Sequence, residues 1–571
     1  MKPVRGMSLI DVIVGTALML VIFLSLIGLL RVSLLVSSLA KAKAGGTAVA
    51  NSQMEYIRSL DYDSVGTVGG IPAGAIPQYA TTTENSIAYG VRTFIEYVDD
   101  PADGTSTADT NGITTDYKRI KVAVTYPFKG ATREVDVVSN YAPPSIETST
   151  GGGTLKTIVV NSAGAPVAGA TVHVVNASTS PTVDVTTFTD ATGVVLLGGA
   201  ATSTQYQVYV SKSGYSSAQT YARDSNNQNP NPGYLTVVKN QTTANTFAID
   251  SLTNLTLKTL YPIVGSTTLD TFADTSKLAS QSNTAVSGGA LTLLSGGGST
   301  GYALSGNAKS VTFAPGYLAS WTGASTTITT PAGTTAVVHV LDSTGALIPD
   351  VALPGNAAGF SASGIPLTTL STTTYPSIAL QANLTTSATT TTSSISDWSV
   401  NYRTGPTPVP NVSFTLTGAK TIGTTGAGAS IYKTTVSTTT GSTGSNTMIL
   451  EWDSYLLGLT GYDVIDACDP PPFAMPAGST DSNSLYLGAL TSNSMLVSVR
   501  DNASANVAGA TATLSKTGFS QAVTTTSCGA AYFGGLASGT YTLVISKSGY
   551  TTTTYNSVVI SGHTFYLTSF P

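Results

Sequence analysis

Charge is scarce in this chain of 571 residues: Lys, Arg, Asp and Glu together reach only 10%, against roughly a quarter in ordinary soluble proteins. The formal net charge of −5 is spread thinly and no basic stripe occurs, so nothing points to a phosphate-backbone partner and no nucleic acid is expected. Two cysteines rule out a disulfide-dense scaffold and leave no ligand set for structural zinc. The three histidines, His173, His339 and His563, are far apart in sequence. No nucleophile elbow, zinc-protease pair or phosphate loop accompanies them, and the chain reads as a non-enzyme. Tryptophan is equally rare. Trp321, Trp398 and Trp452 are candidate sugar-stacking platforms for a cell-surface or glycan ligand, set against the commoner role of buried tryptophan in a sandwich core.

One long apolar run stands out against this background. Val12 to Leu30 holds 19 residues without a charge, about 28 Å as a helix and enough to cross a bilayer once. Lys2 and Arg5 precede it and Arg31 follows; the leading pair favours a cytoplasmic N-terminus, with the remainder extracytoplasmic. A cleaved secretory signal would find a small-residue site at Ala40-Lys41-Ala42, but its apolar core is normally shorter and Asp11 is out of place in it. Apolar positions recur helically at Val49, Ala50, Met54, Ile57 and Leu60, up to Asp61-Tyr62-Asp63-Ser64. The expectation is one helix over 7–60, loosened at Gly45-Gly46, where each glycine costs about 1 kcal/mol relative to alanine.

The basic leader ending in Gly6, the following Met7 and the acid at Asp11 resemble the prepilin signal of type IV pilins and pseudopilins. The resemblance implies a leader over 1–6, cleavage of the Gly6–Met7 bond by a prepilin peptidase, and N-methylation of the new terminus. It also implies other pilin-like subunits as partners. The protein would reside in the inner or cytoplasmic membrane before assembly and in a pilus or at the cell surface afterwards. In that family the acid after the cleavage point is usually Glu and is thought to pair with the terminal amine of a neighbouring subunit. Asp11 keeps the charge and is one methylene shorter.

Residues 61–145 carry the pattern of a small antiparallel sheet, with strand-like stretches at Tyr89–Tyr97, Tyr117–Tyr126 and Arg133–Tyr141. In order and size this resembles a pilin head. Between the first two stretches Asp99, Asp103, Asp109, Asn111 and Asp116 lie close together among glycines. Oxygen ligands at such spacing suit calcium, although no EF-hand loop is formed, and solvated turns are built from the same residues.

An internal repeat organises the rest. Val167-Ala168-Gly169-Ala170-Thr171 returns as Val507-Ala508-Gly509-Ala510-Thr511, and Ser211-Lys212-Ser213-Gly214-Tyr215 as Ser546-Lys547-Ser548-Gly549-Tyr550. Short alternating segments between glycine turns predict small antiparallel sandwiches. The motifs resemble carboxypeptidase regulatory-like, or transthyretin-like, modules, over 151–250 and 493–571. A divergent copy is expected over 405–492, from Pro410-Asn411-Val412 through Tyr455 to Gly461-Tyr462. Residues 252–404 do not fit the repeat and read as a larger sandwich of jelly-roll type. The fold class expected is thus an α+β pilin-like N-terminal part followed by tandem all-β modules.

Cys468 and Cys528 lie in adjacent modules, 60 residues apart. An extracytoplasmic location permits a disulfide between them, and two unpaired buried thiols are the alternative. Together these features predict a pilin-like surface protein, a minor or tip subunit displaying sandwiches for adhesion. A membrane-tethered envelope stalk and a carbohydrate-binding surface protein are the alternatives.

Overall fold

The computed structural model describes residues 9–102, 115–144, 151–296 and 301–570. One long helix is followed by a succession of mostly antiparallel sheets.

The helix α1 spans Leu9–Arg58, 50 residues or about 75 Å. Its C-terminal half lies on a four-stranded antiparallel sheet of β1 (Tyr79–Glu84), β2 (Ile87–Val98), β3 (Tyr117–Phe128) and β4 (Ala131–Tyr141), in that order. Alternation in the central strands turns Tyr89, Val91 and Ile95 of β2, and Ile120, Val122, Val124 and Tyr126 of β3, toward the helix. There they bury Ala42, Ala50, Met54 and Ile57. β1 was not legible in the sequence because it is exposed along almost its whole length and shows no alternation.

The glycine pair does not loosen α1, contrary to expectation. The helix runs through Gly45-Gly46, and both face the sheet: a Cβ on Gly45 would collide with the Tyr89 phenol, and one on Gly46 would press on Val135 and Tyr126. Their missing side chains let the helix axis approach the strands, and Tyr89 Oη donates to the Ala42 carbonyl at 2.9 Å.

Three sandwiches share one plan. In the first, the opening strand Gly153–Val160 pairs in parallel with the closing strand Thr242–Ala248 and antiparallel with Val194–Ala200. A second sheet is built on Thr171–Asn176, flanked by Val183–Phe188 and Ser203–Ser211. In the C-terminal sandwich the same roles fall to Ser494–Arg500, His563–Ser569 and Ala530–Gly534, with Thr511–Lys516, Phe519–Thr524 and Gly539–Ser546 opposite. The repeated signals meet in space. Gly169 and Gly509 take positive φ, +67° and +69°, which only glycine adopts without strain. Lys212 Nζ donates to the Ala168 carbonyl (2.9 Å) and Lys547 Nζ to Ala508 (2.7 Å). The fully buried Tyr206 and Tyr541 donate to the carbonyls of Ala201 and Ala537, at 2.8 and 2.7 Å.

The remaining sandwich corrects the expected boundaries at 252 and 405. Its opening strand is Thr253–Tyr261, paired in parallel with Thr480–Ala489 and antiparallel with Ser445–Leu450. Leu255 and Leu257 lie in one core with Leu416, Tyr455 and Leu485. The sandwich is therefore split in sequence, and the jelly-roll-like unit of residues 264–404 is inserted between its first strand and the next, the short Thr407–Pro408 that pairs with it, after which Ser413–Gly418 follows. The insert has its own core around Trp321 and Trp398. Its end strands, Val264–Asp270 and Ser394–Thr404, run antiparallel side by side, with Val264 opposite Thr404. The sequence hid this because the interruption falls at the turn that carries the repeat signal in the other two modules.

Candidate assembly and display surfaces

Two surfaces merit functional reading: the apolar half of α1 and the chain of joints between the β modules. Leucine, isoleucine, valine and phenylalanine side chains from Val12 to Leu34 are exposed on every side of the helix, which is long and apolar enough to cross a membrane. A helix apolar all round needs lipid or other helices as its surroundings. Asp11 falls in the first turn of α1. Gly6 and Met7 lie outside the described residues.

In the acidic segment, Asp99 and Asp116 are buried at the ends of β2 and β3, and the Asp100 amide donates to the Asp116 carboxylate. Asp103, Asp109 and Asn111 lie outside the described residues. Among the described residues no group of three or more His, Cys, Asp or Glu side chains is arranged to hold a metal.

The head holds a buried lysine that sequence reasoning passed over. Lys118 Nζ donates to the carbonyls of Tyr62 (2.6 Å) and Val65 (2.7 Å) and lies 4.5 Å from the Tyr62 ring centroid. It thereby ties the turn after α1 to β3. Burial pulls its pKa down to about 8, with Asp63 opposing. Arg92 of β2 reaches across to the first sandwich, donating to the Thr186 carbonyl and covering the Phe188 ring at 4.7 Å. The Asp184 amide donates to Gly69 at 2.8 Å. A cleft of about 680 Å³ remains between the two units, lined by Glu96, Arg119, Lys156 and Asp190 among others. Glu96 is held above its usual range by burial, and Asp190 adds to this while Arg119 opposes it.

Between the first and split sandwiches, Asn229–Pro230 pairs with Thr421–Thr424. Glu451, 8% exposed, binds Lys433 at 2.7 Å and Lys420 at 3.3 Å, while Lys433 also donates to the Ser217 carbonyl of the first sandwich at 2.6 Å. Burial alone would raise the Glu451 pKa. Hydrogen bonds from Lys433 and Thr434 and the two ammonium charges outweigh it and hold the carboxyl below its usual range. Burial lowers the Lys420 pKa and the Lys433 charge adds to this, with Glu451 opposing.

The joint between the split and C-terminal sandwiches is covalent: Cys468 and Cys528 are joined as a disulfide, Cα atoms 4.2 Å apart. Around it Thr526 donates to Asp466 (2.9 Å) and Arg500 meets Asp469 at 3.0 Å. His563 also lies here, gathered with residues that sequence spacing kept apart. Its Nδ1 is 2.9 Å from Asp463 Oδ1 and 3.0 Å from Ser494 Oγ. Asp463 Oδ1 makes no directed hydrogen bond despite that approach. Tyr532 and Thr491 both donate to Asp463 Oδ2 at 2.6 Å. Burial and the bond to Asp463 push the Tyr532 phenol up to about 12. Serine and aspartate converge on the same ring nitrogen, whereas a nucleophilic relay needs them on opposite nitrogens. The cluster is a polar rivet.

Of the other histidines, His173 contacts Asp184 at 2.7 Å and His339 Nδ1 the Asn356 carbonyl at 2.7 Å. Two of the three tryptophans take the core role rather than that of a candidate sugar platform. Trp321 and Trp398 are buried, the first donating to the Tyr375 carbonyl at 2.8 Å and the second packed edge-on against Phe272. Trp452 is half-buried beneath the Lys420 ammonium, 3.3 Å from its ring centroid.

Residues 494–568 match the family described as carboxypeptidase regulatory-like domain. No curated protein matches the chain. Among solved structures it is similar to the TIE protein of Bacillus anthracis, at 11% identity over 86% of this chain and 73% of that one, TM-score 0.15. It is also similar to BcpA, the major pilin subunit of Bacillus cereus, at 9% identity over 73% and 99%, TM-score 0.14. The shaft pilin SpaA of Lactobacillus rhamnosus GG matches at 14% identity over 29% and 90%, TM-score 0.12. Scores this low carry no functional inference.

Proposed function

We propose that this chain is a non-enzymatic, pilin-like surface protein. In this reading a prepilin peptidase trims it after Gly6, and it enters a type IV filament as a minor or tip subunit whose β modules make surface contacts. The observation that carries the reading is the division of α1. Its N-terminal half is apolar on all sides and unpartnered among the described residues, and its C-terminal half is seated on a four-stranded sheet. A helix so divided suits storage in a bilayer and later packing among like helices. The leader and Asp11 fit the same scheme. The bulk beyond the head favours a tip or a sparse position over a densely packed shaft. Mass spectrometry of the mature N-terminus tests it: a chain beginning at Met7 is expected, and an intact Met1 or a start near Ala42 would overturn it.

A membrane-tethered stalk uses the same helix and the same joints between modules. Immunogold labelling of sheared filaments separates the two, since label confined to cell bodies favours the tether. The glycan-binding reading is weakened by burial of Trp321 and Trp398.

A further inference from the structure

We propose that the three repeat sandwiches form a tension-bearing shaft with the jelly-roll-like insert hung outside the line of force. The inference rests on the surface-display reading for the source of tension, and on the structure for the mechanics. In every sandwich the chain enters on one strand and leaves on its parallel neighbour. The ladders are Thr154–Val160 with Thr242–Ala248, Asn254–Leu260 with Thr480–Tyr486, and Ser494–Arg500 with His563–Ser569, each seven residues in register. Parallel neighbours entered at one end and left at the other are pulled lengthwise past each other. All ladder bonds then resist together, whereas strands pulled apart from a shared end open one bond at a time. Antiparallel first and last strands would give the weaker mode.

Contacts at each joint transmit tension from one module to the next. The head holds the first sandwich through Arg92 and the Asp184 amide, strand pairing and Lys433 hold the next joint, and the disulfide holds the last. That bond encloses both the closing strand of the split sandwich and the opening strand of its neighbour, so in oxidised protein tension also crosses directly from Cys468 to Cys528, and the last two ladders carry the full lengthwise load only once it is reduced. The insert leaves and rejoins the split sandwich at adjacent positions, Val264 and Thr404, beyond the far end of the opening strand. Force passing from Thr253 through the ladder to Thr480–Ala489 bypasses it.

Optical-tweezer pulling tests this on the full chain in detergent, with one handle inserted at the exposed Lys129-Gly130 turn of the head and one at the C-terminus. In reduced protein the sandwiches should rupture at higher force than the insert, whose extension appears only after the split sandwich yields. Reduction should add about 200 Å of contour length at the joint, from the 60-residue loop at ~3.5 Å per residue. Moving the C-terminal handle to the Ser561-Gly562 turn, in reduced protein, pulls the last ladder from its Ser494–His563 end. The rupture force of that sandwich should fall while the other two hold theirs. Equal force in both geometries, or extension of the insert before the split sandwich, overturns the proposal. Such a result would leave the filament reading standing, and label confined to cell bodies would sink that reading without touching the measured forces.

Discussion

A methyl group on Gly45 would collide with the phenolic oxygen of Tyr89, which itself donates to the Ala42 carbonyl earlier on the same helix face. The helix therefore meets its sheet at a point where glycine is required by contact. On propensity alone Gly45→Ala should gain about 1 kcal/mol. Overpacking against a buried ring backed by β3 outweighs this, and a net loss of about 1–2 kcal/mol is expected. Gly28→Ala, with nothing within 4 Å of the added Cβ, should leave the melting temperature of the monomeric protein in detergent unchanged or slightly raised. Thermal denaturation of both variants decides it, and a Gly45→Ala protein more stable than the parent would refute the contact argument.

Lys118 makes the head more stable in mild alkali. Its folded pKa of about 8 lies below the ordinary lysine value, so between the two the unfolded chain binds more protons than the folded one. Stability then rises with pH. The window opens near pH 8 and closes as the tyrosines titrate, because burial holds Tyr97 above its ordinary value and its ionisation in the unfolded chain favours unfolding. The full shift corresponds to on the order of 3 kcal/mol. Melting followed from pH 7.5 to 9.5 should show a climb that Lys118→Met removes; a flat profile in the parent protein would contradict the assignment.

Sequence reading reached local pattern and stopped at long-range pairing. The alternating β2, β3 and β4, the helical recurrence of Ala50, Met54 and Ile57, and the VAGAT and SKSGY repeats were legible because each is set by neighbours a few residues away. Thr253–Tyr261 was assigned to the wrong module. Nothing in its alternation distinguishes a strand whose partners are Ser445–Leu450 and Thr480–Ala489 from one paired within the jelly-roll-like unit that follows. The same limit hid Asp463, Ser494 and His563, brought together only by the packing of two modules. Lys118 was missed for another reason: its burial depends on carbonyls in the turn after α1, which carry no side-chain signature.

Glu451 balances two ammonium groups where the first and split sandwiches meet. Glu451→Gln keeps the shape, removes the charge and leaves Lys420 and Lys433 facing each other. The expected cost is about 2–4 kcal/mol, below the figure for a fully buried pair because both lysines keep some contact with water. The double variant Glu451→Gln with Lys433→Met should recover part of the loss. The sign with pH follows from the lowered carboxyl pKa: the contribution is present above the ordinary glutamate range and is lost as pH falls through the folded value. Chemical denaturation at pH 7 and pH 3 measures both, and a Gln variant as stable as the parent at pH 7 would show that the pair contributes nothing net.

Reduction of Cys468–Cys528 should lower the stability of the last two sandwiches without altering the head. The enclosed loop of 60 residues predicts about 4 kcal/mol from chain entropy, with measured values commonly nearer 2. Partial compensation comes from Thr526–Asp466, Arg500–Asp469 and the His563 cluster, which keep the modules docked. Calorimetry with and without reductant should therefore move one transition and leave the head transition in place. Peptide maps that recover free Cys468 and Cys528 from native, oxidised material would count against the bond itself.

Asp11 provides the sharpest separation between export and assembly. Cleavage at Gly6–Met7 depends on the leader and should proceed in Asp11→Ala, so the mature N-terminus stays at Met7 by mass spectrometry. If the carboxylate neutralises a terminal amine on a neighbouring helix inside an apolar bundle, the Ala variant buries an unpaired charge, at a cost of several kcal/mol. It should then be found in membranes and be missing from sheared filaments. Asp11→Glu restores the side chain usual in type IV pilins and extends the reach by one methylene, so its recovery in the filament fraction should equal or exceed that of the parent. A tether needs no such pairing: if the Ala variant is processed and distributes as the parent does, the acid has no role in assembly and the stalk reading takes precedence.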